Sequence, residues 1–108
     1  MRKITKESVS AFNYNEDFRK ANMRVENTLR TSSMFLHNNL IAHKDENGLY
    51  ITNAKWQSNT TKERLNGLNG VSIQQKNFVW YLNDREWSGK FAHVSPNGQW
   101  IYATPNSL

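Results

Sequence analysis

The 108-residue chain predicts an α+β fold, an antiparallel sheet of about five to six short strands with two short helices packed on one side. Three observations predict it. Short alternating or aromatic runs bounded by Asn, Asp and Gly recur through most of the chain. Two segments, one near the N-terminus and one at about 60–68, change to apolar spacings of three with capping residues ahead of them. The resulting order of helix, strands, helix, strands is that of segregated elements and not of βαβ units. The length suits one domain with a modest core, expected over residues 1–94 with a tail or edge strand over 95–108.

Ile4 to Asn15 starts the chain as a helix, with Thr5 as the cap, Ile4 and Val9 as a hydrophobic staple, and Val9 and Phe12 three apart. Asn13, Tyr14 and Asn15 weaken the pattern, and Phe18 returns a ring to the core from a loop that also carries Arg19 and Lys20. Met23 and Val25 then alternate as a first strand, followed by strands around Met34-Phe35-Leu36, Leu40-Ile41-Ala42 and Leu49-Tyr50-Ile51-Thr52. His37-Asn38-Asn39 supplies positive φ between two of these, and Asp45-Glu46-Asn47-Gly48 ends in an Asn-Gly pair suited to a hairpin.

The second helix is expected from Ser58 to Leu68, with a Thr60–Glu63 capping box, Leu65 and Leu68 on one face, and Asn69-Gly70 as the left-handed stop. Val71-Ser72-Ile73 alternates after it. Phe78-Val79-Trp80-Tyr81-Leu82 is strongly β-prone, Asn83-Asp84 turns it into Arg85-Glu86-Trp87, and Phe91 and Val94 continue the return strand. In the tail, Pro96, Gly98 and Pro105 oppose regular structure, while Trp100-Ile101-Tyr102 suits an edge strand.

Composition narrows the function. With no cysteine, disulfide scaffolds, CxxC zinc ribbons and thiol nucleophiles are excluded. No apolar run has the length of a membrane span or follows the charged start Met1-Arg2-Lys3 as a signal would, so neither export nor a membrane partner is expected. Fourteen Lys and Arg against nine Asp and Glu give a formal charge of +5, which favours polyanionic partners.

The stretch Tyr50-Ile51-Thr52-Asn53-Ala54-Lys55-Trp56-Gln57-Ser58-Asn59-Thr60-Thr61-Lys62-Glu63-Arg64-Leu65-Asn66, with Val71-Ser72-Ile73-Gln74-Gln75-Lys76, Trp80-Tyr81-Leu82-Asn83, Trp87 and Gly89, resembles a family of small proteins encoded mainly by tailed phages. Phe12, Phe18 and Asn22 are similar to that family's less regular opening. Asn83-Asp84 stands where an Asn-Gly turn would be expected. The resemblance implies a phage gene acting in the cytoplasm of an infected bacterial host, and it assigns no mechanism.

Two constellations suggest binding. Hydroxyls and free amides at the start of the second helix, with Lys55, Lys62 and Arg64 near Thr60, suit a phosphate, although Glu63 opposes one and ordinary capping explains the same residues. Trp56, Trp80, Tyr81, Trp87 and Trp100, interleaved with Lys55, Lys76, Arg85 and Lys90, include rings on which bases could stack; in Trp80-Tyr81 one ring must face the core and the other away from it. His37, His43 and His93 have no ligand spacing and the paired carboxylates lie in turns, so no metal, cofactor or catalytic role is expected. The expectation is a non-enzymatic binding module contacting nucleic acid through Lys55, Trp56, Thr60, Lys62, Arg64, Arg85 and Lys90. The alternatives are a modulator of a host protein, directed at defence or transcription, and a minor virion component. A homodimer through an uncovered sheet edge stays open.

Overall fold

The structure, a computed structural model, describes residues 1–55, 57–94 and 100–102, the last two of these through their backbone alone. The fold is α+β, as the chain predicts. Helix α1 (Lys3–Asn13) is followed by strands β1 (Phe18–Lys20), β2 (Met23–Asn27), β3 (Ser32–Leu36), β4 (Asn39–Asp45) and β5 (Gly48–Ile51). Helix α2 (Asn59–Leu65) comes next, then β6 (Ile73–Lys76), β7 (Val79–Leu82), β8 (Arg85–Glu86), β9 (Ala92–Val94) and β10 (Trp100–Tyr102).

These strands form two antiparallel sheets where one was expected. A seven-stranded sheet runs β1-β2-β3-β4-β5-β9-β10, and a three-stranded sheet runs β6-β7-β8. The strand count exceeds the expected five to six because several strands have only two to four residues. Phe18 begins such a strand, with Arg19 and Lys20 in it, in place of the expected loop. The segment around Phe91 and Val94 does not extend the β7–β8 hairpin. β8 ends at Glu86, Trp87 enters the core, and β9 pairs with β5 in the larger sheet. Three residues carry no local mark of which sheet they will join. β10 takes the edge position beside β9, as the tail suggests, while Pro96, Gly98 and Pro105 lie outside the described residues.

Alternation builds the core on one face of the large sheet. Met23 and Val25, Met34 and Leu36, Ile51, and Ala92 are buried there against Phe12 of α1 and Leu65 of α2. A register shift at Met34/Phe35 leaves Ile41 as an extra residue opposite the bond between them, so Ile41 and Ala42 are both buried. From the small sheet, Ile73, Trp80 and Leu82 join the same core, with the Trp80 and Trp87 rings 6.1 Å apart and tilted by 40°.

Both helices begin differently from the sequence expectation. Thr5 is not the cap of α1: the N-cap is Arg2, with no side-chain cap bond, and Thr5 is buried on the face towards α2. The Thr60–Glu63 capping box is absent. Ser58 adopts extended backbone a residue before the helix, and its Oγ accepts from Thr61 N at 3.1 Å. Glu63 turns to α1 instead, accepting from the Thr5 hydroxyl and from Arg64. α2 ends at Leu65, before the expected Leu68. Asn66 caps it and binds both polar backbone atoms of Ile73, donating to its carbonyl at 3.0 Å and accepting from its N–H at 2.6 Å. Gly67 then passes so close to α1 that a Cβ there would stand 2.9 Å from Thr5 Cγ2 and Val9 Cγ2. Leu68 and Val71 still reach the core from the turn that Gly70 completes at φ 81°. At the other end of α1, Lys44 donates to the carbonyls of Phe12 and Asn13, 3.3 Å from each, where a cation complements the helix dipole.

Candidate nucleic-acid interface

Asparagine-rich pairs make the tight turns of the small sheet. Asn77-Phe78 and Asn83-Asp84 each join paired strands through two residues with positive φ, 52° and 67° in the first and 49° and 69° in the second. That is the type I′ pattern, whose twist matches the strands and whose second position suits glycine. Phe78 occupies that second position. The expected strand start at Phe78 therefore moves one residue on, to Val79, and the ring at the hairpin tip is 88% exposed.

A second pair of left-handed residues, Ala54 (φ 56°) and Lys55 (φ 70°), lies in the loop after β5. Buried side chains hold it there. Thr52 Oγ1 donates to Gly89 O at 3.1 Å and accepts from Ala54 N at 3.1 Å, and Asn53 Oδ1 accepts from Lys55 N at 2.8 Å. Asn53 N also donates to Gly89 O at 2.7 Å. Gly89 is itself left-handed at φ 90°, and the Asn53 amide occupies the space a Cβ would need. Gln57 Nε2 then donates to Phe78 O at 3.3 Å and ties this loop to the hairpin tip. Four non-glycine residues in a costly backbone conformation thus lie on two segments joined by one bond, the kind of stored strain that gathers at functional sites.

The cations predicted for the site separate into groups. Lys55 is exposed on the strained loop. Lys62, half-buried on α2, donates to Gln75 Oε1 at 3.3 Å and so stands beside β6, whose last residue, Lys76, is exposed next to the Phe78 turn. Lys90 follows Gly89 at the foot of the same loop, and its carbonyl accepts from Trp87 Nε1 at 2.8 Å. Arg85 is paired with Leu82 at the far end of β7, about 10 Å along the strand from the Phe78 turn at the usual rise. Arg64 is 3% exposed, its guanidinium held by Glu63, by Thr5 Oγ1 at 3.0 Å and by Asn22 Oδ1 at 3.4 Å. It faces the inside of the molecule. Burial pushes the Glu63 carboxyl up, but hydrogen bonds from Thr5, Arg64 and the Arg2 N–H, with the Arg64 charge, outweigh it and hold Glu63 below its ordinary value.

Of the candidate stacking rings, Trp80 and Trp87 are buried, Tyr81 is half-exposed on the opposite face from Trp80, Trp100 packs partly against the core, and Trp56 lies outside the described residues. Among the described residues the exposed tyrosine and phenylalanine rings are those of Tyr14, after α1, and Phe78, which the sequence places in a strand. Its signal was Asn77, a turn former six residues before the recognised turn residue Asn83.

Two of the three histidines, His43 and His93, lie on the outer face of the large sheet, and His37 lies in the β3–β4 turn. Tyr50 stacks on His93 at 4.3 Å and 10°, with His43 on its other side at 6.1 Å. Ser33 Oγ is 2.8 Å from His43 Nδ1, whereas Asp45 is 3.6 Å from Nε2, beyond hydrogen-bond reach. Among the described residues no group of three or more His, Cys, Asp or Glu could hold a metal ion.

No curated protein and no solved structure matches the chain. A family model does, that of the Kyanoviridae Gp96 protein, over residues 1–101. The chain therefore belongs to the Kyanoviridae Gp96 family, a phage protein family.

Proposed function

We propose that the protein is a non-enzymatic phage accessory module that holds single-stranded nucleic acid in the infected cell. Phe78 supplies the stacking ring, and Lys55, Lys62 and Lys76, with Lys90 at the margin, supply phosphate contacts. The observation that carries this reading is Phe78 itself. A left-handed conformation costs a bulky L-residue about 1–2 kcal/mol, and an exposed ring returns nothing to the core. A ring kept there at such a cost, on a lysine-bearing surface, suits a base, since every base offers a face to stack on.

Fluorescence anisotropy with labelled single- and double-stranded DNA and RNA at two salt concentrations tests the proposal. The expected result is a preference for single strands, with a log–log salt slope of roughly −2 if three lysines each meet a phosphate. Phe78→Gly should bind about tenfold more weakly, the loss of one stacked base. Absence of binding at low salt, or undiminished binding by Phe78→Gly, overturns it. A host protein retained from nuclease-treated lysate by the wild type and not by Phe78→Gly would assign the ring to protein docking instead.

A further inference from the structure

Beside the strained loop lies a cavity of about 340 Å³, between the β3–β4 turn and the start of α2. Leu36 and Ile41, both buried, are its apolar residues of the large sheet; His37 and Asn39 bound it on one side and Ala54, Ser58 and Thr60 on another. The volume falls in the range of small-ligand pockets, which combine apolar walls with a few polar groups. Among its polar groups, the half-exposed Thr60 Oγ1 and the exposed His37 ring and Asn39 Oδ1 have no hydrogen-bond partner among the described residues, the amide nitrogen of Asn39 being spent on His37 O at 3.3 Å. Ser58 Oγ and Thr61 Oγ1, by contrast, are 3.0 Å apart and satisfy each other.

From these features we infer that the cavity is a pocket for one unstacked nucleobase. A planar heterocycle matches it on both counts. One of its faces needs an apolar wall, which Leu36 and Ile41 supply from the sheet with Ala54 on another side, and its edge needs both donors and acceptors, which a hydroxyl, an imidazole and an amide oxygen supply together. The pocket shares Ala54 with the loop that carries Lys55. This inference rests on the proposed function, because the cavity wall at Ala54 adjoins Lys55, which that function gives to the strand.

The test is a nucleoside titration followed by NMR, reading the Leu36 and Ile41 methyls and the Thr60 amide, with adenosine, guanosine, cytidine and uridine as probes. Saturable shifts confined to these groups are expected, lost in Thr60→Trp, which plugs the mouth from a half-exposed helix position, and weakened severalfold in Thr60→Val, which keeps the shape and removes the hydroxyl. No shift at these groups, or equal shifts with cyclohexanol, overturns the pocket. A parallel strand titration separates the two claims. Strand binding without nucleoside shifts leaves the proposed function standing and removes the pocket, whereas nucleoside shifts without strand binding do the reverse.

Discussion

The two turns at the ends of β7 have nearly the same backbone and opposite uses. At Asn83 the side chain works for the fold: Oδ1 accepts from Ser72 N at 2.8 Å, Nδ2 donates to Gly70 O at 2.9 Å, and its N–H donates to Ser72 O at 2.7 Å. At Phe78 the carbonyl accepts from Gln57 while the ring touches solvent. The basic residues of α2 divide in the same way, with Arg64 turned inward to Glu63 and Thr5 and Lys62 turned outward to Gln75. A residue whose geometry is costly and whose contacts are few is the better candidate for function.

Substitutions can break that division. The largest effect is expected at Arg64→Ala, which removes a buried guanidinium and its bonds to Glu63, Thr5 and Asn22 and should lower unfolding free energy by about 2–3 kcal/mol in urea titrations. Phe78→Gly should separate the two roles most clearly. It relieves the left-handed phenylalanine and should raise stability by about 0.5–1 kcal/mol while weakening strand binding about tenfold. Asn83→Ala should do the converse, costing about 1–2 kcal/mol in the same titrations with anisotropy unchanged. Equal binding losses in the two turn variants would erase the contrast.

The smallest effect is on acid stability. The Glu63 carboxyl titrates below its ordinary 4.5 in the folded state. Its contribution is therefore complete above that value and is lost as pH falls through the lower folded one. Glu63→Gln should flatten this acid limb of the pH–stability curve, and an unchanged limb would place the titration elsewhere.

Much of the fold was legible in the sequence because it is written locally. His37-Asn38 and Asn83-Asp84 announce their turns, and Met23/Val25 and Met34/Leu36 announce a buried face by period two. Long-range choices were not legible. Nothing near Ala92 says that it will pair with Ile51 and not extend the β7–β8 hairpin, and nothing near Thr5 says that Glu63 will leave a capping box to reach it. The positions of the candidate residues were legible in part for the same reason. Thr60 and Lys62 lie on the helix where they were expected, but burial of Arg64 depends on a helix some sixty residues earlier. Phe78 was hidden because phenylalanine's strand propensity argues against the turn it occupies.

The order of the large sheet also sets a timetable for folding. Strands β1 to β5 are neighbours in space and in sequence, so each can zip from a hairpin on the microsecond scale. β9 reaches β5 only after the chain has made an excursion whose ends meet where Asn53 N donates to Gly89 O. Closing that excursion carries the entropy of a long loop before any pairing repays it. Amide protection is therefore expected to appear first over residues 23–45 and last at 92–94, so that the strained loop beneath Gly89 acquires its conformation only as folding ends.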